Sequence, residues 1–150
     1  MEHLPFNPTA EQRGNLLRLA AHLDLGVTNH DFDMGTFFED SPECGTVACA
    51  CGHGPSLGIQ KRDYESYFGY SGRAFGAEAL KSLSPAYTWL FSDCWIEADN
   101  TPRGAAARIY YALKHGIPVN YKAQMWGVAP LSYTVSERVD PVTTKARVKA

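Results

Sequence analysis

Three cysteines and a histidine crowd one short stretch. Cys44, Cys49, Cys51 and His53 stand within ECGTVACACGHGP, and Cys94 lies apart. Thiolates and imidazole are the natural ligands of tetrahedral zinc. In a helix, Cys49 and His53 at i and i+4 share a face while Cys51 points elsewhere. Cys44, at the helix entrance, would fold back toward that face, and Cys94 would complete a zinc site of Cys44, Cys49, His53 and Cys94. In an extended chain, Cys49, Cys51 and His53 line one side instead. The spacing C-x4-C-x-C-x-H matches none of the common finger or ribbon patterns.

The same residues could serve nucleophilic chemistry. Cys44 precedes an expected helix whose unpaired amides and positive dipole end would lower a thiol pKa. The base would be His53, His115 or His30, oriented by Asp93 or Asp99. A hydrolase or transferase would then work through Cys44 or Cys49 with His53. Gly45 would allow the close backbone approach of an oxyanion hole, or merely a tight turn. A third reading is packing: reduced cysteine is among the most buried residues, and VACAC suits a tightly packed helix.

These side chains must be positioned by helices. Thr9 with Gln12 three residues on is a capping box, and Leu16, Leu17, Ala20 and Leu23 follow at helical spacing, so 9–24 reads as a helix closed by Gly26 in a left-handed turn. Residues 27–43 read as an irregular acidic segment laid over the core by Phe32, Met34, Phe37 and Phe38. A short helix is expected at about 46–52, stopped by Gly52, Gly54 and Pro55. The aromatic stretch 63–80 predicts short helical turns, and Ser84-Pro85 opens another helix. Thr101 and Pro102 begin the clearest helix, 101–115, which Gly116 ends and whose packing face is Ala105, Ile109, Ala112 and Leu113. Beyond it, Leu131, Tyr133 and Val135 alternate with Ser132, Thr134 and Ser136, a strand signal that recurs toward the end of 142–150.

The expectation is a mainly α (α+β) fold: a compact bundle of four or five short helices with a small β element in the C-terminal third. Residues 1–118 would form a single helical domain with the Cys/His cluster, and 119–150 a C-terminal extension or arm, partly β. With 150 residues, 45% of them hydrophobic and 20% charged, the chain can bury a core without staples.

Charge and termini narrow the function. The net charge of −2 argues against nucleic acid as the main partner. No apolar run reaches the roughly 18 residues of a membrane span. MEHLPFNPTAEQ lacks the apolar core of a secretory leader, which points to the cytoplasm and to reduced thiols. Charge is uneven, however. Residues 1–43 hold eight acids against two bases, and the remainder holds eight acids against twelve bases. Before the 101–115 helix, Asp99 and Asn100 read as turn and capping residues, or else the helix start and Arg103 receive an anion. Arg108 is placed to pair with an N-terminal acid. Trp89, Trp95 and Trp126, with eight tyrosines and seven phenylalanines, offer more aromatic surface than a core alone needs.

Four blocks carry a resemblance: CGTVACACGHGPSLGI at 44–59, YSGRAF at 70–75, WLFSDCW at 89–95 and DNTPRGAAARIYYALKHGIP at 99–118. In order and spacing, over about residues 30–118, they resemble a family of small uncharacterised bacteriophage and prophage proteins. The resemblance implies a phage-derived intracellular protein and carries no activity with it. Cys44, Cys49 and His53 fall on the family's characteristic positions, whereas Cys51 and Cys94 depart from it, which weakens the four-ligand zinc site. The resulting expectation is a phage-type accessory protein that binds another protein, as a host-directed inhibitor or a virion-associated component, through exposed aromatics and the 119–150 arm. A cysteine-dependent enzyme and a small zinc-stabilised binding domain are the alternatives.

Overall fold

The computed structural model describes residues 2–35, 39–41, 45–47, 49–78 and 84–135. The fold is mainly helical. Among the described residues there are five α-helices: α1 (Ala10–Leu25), α2 (Tyr67–Phe75), α3 (Pro85–Phe91), α4 (Pro102–His115) and α5 (Tyr121–Met125). Two small antiparallel pairs accompany them, β1 (His3–Leu4) with β4 (Ile117–Pro118) and β2 (Glu39–Ser41) with β3 (Gly45–Val47).

The helix starts follow local chemistry. The Thr9 hydroxyl accepts from the Gln12 amide and the Gln12 side chain accepts from the Thr9 amide, as the capping box requires. Ser84 and Thr101 cap α3 and α4 through the amides of Tyr87 and Gly104, each with proline at the first helical position. In α1 the buried set is Leu16, Leu19, Ala20 and Leu23, while Leu17 is 40% exposed. Leu17 lies about 100° round the helix from Leu16, so Leu19 takes the place expected for it. Gly26 ends α1 at φ −117 rather than in a left-handed turn, its amide bonded to the His22 carbonyl.

The core sits where α1 packs along α4, the most extensive helix contact. The run Gly104, Ala105, Ala106, Ala107 is buried and offers little bulk, which lets α1 lie close. Trp89, Trp95, Phe91, Phe75 and Tyr70 fill the rest of the interior, meeting at ring separations near 5.5 Å. Asp24 and Arg103 join α1 to α4 at 3.3 Å. Gly116 stands at φ +88, where a Cβ would collide with the Leu4 carbonyl, so the turn from α4 into β4 needs glycine.

Several sequence expectations are corrected. The 46–52 segment is not a helix: Gly45–Val47 is a strand, and only Cys51–His53 makes one helical turn. The β-branched Thr46 and Val47 suit the strand, and Gly52, Gly54 and Pro55 leave little room for a longer helix. The 63–80 stretch holds a nine-residue helix, α2. The β element of the C-terminal third is Ile117–Pro118, paired with the N-terminal strand, and not 131–135. Residues 131–135 have no partner strand among the described residues, and their burial does not follow the alternation: Tyr133 is buried, whereas Leu131, of the same apolar set, is exposed. Residues 121–135 pack on the body rather than extending from it, with Gln124, Met125 and Tyr133 all buried. Phe32 and Met34 are buried as expected. Phe37, Phe38 and residues 136–150 lie outside the described residues.

Candidate functional site

The Cys/His cluster is interior. Cys49, Cys51 and His53 are all buried, and Cys44 lies outside the described residues. The single helical turn places His53 one turn after Cys49, with the His53 amide on the Cys49 carbonyl at 3.2 Å. The side chains are nevertheless engaged separately. Cys49 Sγ accepts from the Gly52 amide at 3.4 Å, and Cys51 Sγ donates to the Tyr67 carbonyl at 3.9 Å. His53 Nε2 pairs with the Asp31 carbonyl at 3.0 Å, and its ring stacks on Phe32 and lies 5.6 Å from that of His22.

Burial sets the chemistry of these thiols. It pushes Cys49 up to about 11, outweighing the hydrogen bonds that stabilise its anion, and pushes Cys51 well above the ordinary range. Both are therefore neutral thiols at physiological pH, the reverse of an activated nucleophile. Cys94 is half-buried in a separate turn, Asp93–Ile96, with its Sγ toward Asp93 Oδ1 at 3.7 Å. Among the described residues no group of three or more His, Cys, Asp or Glu is arranged to hold a metal ion. Cys49, His53 and Cys94 are thus not gathered into the expected zinc set. The candidate bases are dispersed too: His30 is exposed on the Asn29–Asp31 turn, and His115 stacks with His3 and Tyr111 at the far end of α4.

A second constellation forms at the start of α4, which the sequence reading missed in part. The position over the helix start is taken by the chain's own Asp99. Its carboxylate accepts from Thr101 Oγ1 at 2.6 Å and from the Tyr133 hydroxyl at 2.8 Å. Arg103 pairs with Asp24, so it is not left to receive an outside anion. Arg108 pairs with Asp99, at 3.6 Å, rather than with an N-terminal acid. Its guanidinium is wholly buried, lies 4.2 Å from the centre of the Trp95 ring, and donates from Nη1 to the Tyr133 hydroxyl at 2.8 Å. Nothing in the Ala-rich helix sequence marks Arg108 as buried. The only signal for Tyr133 was its place in an alternating segment.

Tyr133 nails the last described segment to the core, and the outside of that segment is apolar. Trp126 is 58% exposed and Val128 81%, with Val119 and Leu131 exposed nearby in the chain. Gln124 at the end of α5 accepts from both the amide and the hydroxyl of Ser132, fixing one part of the segment on the other. Between this segment and the last turns of α4 lies an open hollow of about 310 Å³. Among the described residues no helix is long and apolar enough to cross a membrane. Compared with protein-family models, with curated proteins and with solved structures, the chain matches none of them.

Proposed function

We propose that this is a phage-type accessory protein that acts inside the host cell by binding another protein, without catalysis of its own. The observation that carries this reading is Trp126, more than half exposed on a segment fixed at Gln124 and Tyr133. A large, rigid aromatic displayed on a fixed backbone loses little entropy on docking and is the usual anchor of a protein interface. Val119, Val128 and Leu131 are further exposed apolar residues of the same stretch of chain. The neutral, buried state of Cys49 and Cys51 favours packing over a cysteine-dependent hydrolase or transferase. A host-directed inhibitor and a virion-associated component would both use such a surface.

The test is site-specific photo-crosslinking, with a benzophenone side chain at position 126 and, as control, at exposed position 63. We expect one protein, from bacterial lysate or from purified phage particles, to be captured at 126 and not at 63. With the benzophenone moved to position 128, Trp126→Asp should lose the capture while the melting temperature stays unchanged. No captured protein from either source would sink the reading.

A further inference from the structure

The hollow between α4 and the pinned segment has a chemical character of its own. It is lined by Tyr110, Tyr111, Lys114 and His115 from the end of α4 and by Ser132 and Thr134 from the pinned segment. No carboxylate lines it, and Lys114 has no ion-pair partner among the described residues. His115 is held by its tilted contact with Tyr111, 4.7 Å between ring centres, and by its stack on His3, while the Tyr111 hydroxyl pairs with His3 Nε2 at 2.7 Å. The imbalance is not local. From residue 100 to residue 136 the chain contains no Asp or Glu at all, but it holds Arg103, Arg108, Lys114 and Lys122. Arg103 and Arg108 are spent on Asp24 and Asp99, which leaves Lys114 as the cation that lines the hollow. A basic hollow whose wall at Ser132 adjoins the exposed Leu131 in the chain matches a ligand that presents carboxylates beside an apolar side chain.

We propose that this face docks an acidic segment of the partner protein, one carboxylate entering the hollow against Lys114 and His115 while an adjacent apolar side chain lies on Leu131. The inference rests on the protein-binding reading and names the chemistry of the partner. The polar lining supplies further hydroxyls, those of Ser132 and Thr134, beside the bound carboxylate.

Titration of the full-length chain, followed by amide NMR shifts, tests it with the peptide acetyl-Glu-Glu-Phe-Glu-Glu-amide. Controls are its all-Gln counterpart, inorganic phosphate and a thymidylate hexamer. The expected result is saturable shifts confined to residues 110–115 and 131–135, with affinity falling about tenfold between low salt and roughly 0.5 M salt. The all-Gln peptide should bind about tenfold more weakly. Lys114→Gln with His115→Gln should cost about fivefold, and Lys114→Glu alone at least as much, with melting temperatures unchanged. Equal binding of the all-Gln peptide, no saturable shift at these residues, or a response to phosphate matching that of the peptide would overturn the proposal. Tighter binding of the oligonucleotide would assign the face to nucleic acid and overturn it equally. If position 126 captures a partner indifferently to salt and to the Lys114 and His115 changes, protein binding stands and the acidic partner falls. If nothing is captured, the peptide titration still decides whether the hollow takes carboxylates.

Discussion

A thiol reacts as its anion, and the interior holds Cys49 and Cys51 in the neutral form. With Cys49 raised from an ordinary 9.0 to about 11, it should label with a thiol reagent roughly two orders of magnitude more slowly in the folded chain than in denaturant. Mass spectrometry of the labelled peptides checks this; fast labelling of Cys49 in the folded chain would return it to the list of nucleophiles. His22 responds to the same neighbourhood with opposite charge. Burial, and the nearby charge of His53, lower its proton affinity below the 6.5 of the unfolded chain. Between those two values the unfolded state binds more protons, so stability is complete above pH 6.5 and is lost as pH falls toward the folded value. Melting temperature should therefore drop between about pH 7 and about pH 5, and His22→Gln should flatten that drop. The Glu65 carboxyl, held down to about 2 by its hydrogen bonds from Arg73, acts lower: its contribution persists above 4.5 and fades only as pH falls toward 2. At this scale the sequence showed which residues were chemically able. It could not show that Phe32, Tyr67 and Tyr70 would close over them, because those neighbours are distant in the chain.

Elements were legible wherever their signals are local. The Thr9–Gln12 box, Ser84-Pro85, Thr101-Pro102 and the Gly116 stop each act within four residues, and each lies where the sequence placed it. The 46–52 and 131–135 segments were misread because their conformation depends on what they meet. Thr46 pairs across to Asp40, and Tyr133 packs edge-on against both Trp89 and Trp95. The start of α4 gives the sharpest expectation at this scale. Asp99 folds its carboxylate into the space where a side chain on Gly104 would stand. Gly104→Ala must push it off Thr101 and Tyr133 and should destabilise the protein by about 2 kcal/mol, read from the urea midpoint. Intrinsic helix propensity alone would give the opposite sign, since alanine is the better helix former. A stabilised variant would therefore refute the arrangement.

For the whole molecule, the sequence made the mainly helical architecture and the uneven charge visible, and the fold gives the unevenness a place. The acid-poor stretch from 100 to 136 supplies α4 and the pinned segment, and so every residue that lines the hollow. The hollow was invisible in the sequence, because it is bounded by α4 and by a segment about twenty residues further on that Tyr133 draws back. The same architecture bears on how the chain comes into being. α1 finds its main packing surface on α4, and β1 pairs with β4, so the first elements made depend on nearly the last ones described. Loops this long close slowly, and local helices of this size are marginal alone. On the ribosome, the first hundred residues would emerge with their apolar side chains unsheltered, and folding would wait for Pro102–His115 to arrive. Birth of this protein is therefore a single late event, during which its buried thiols are open to the surrounding medium until α4 closes over α1.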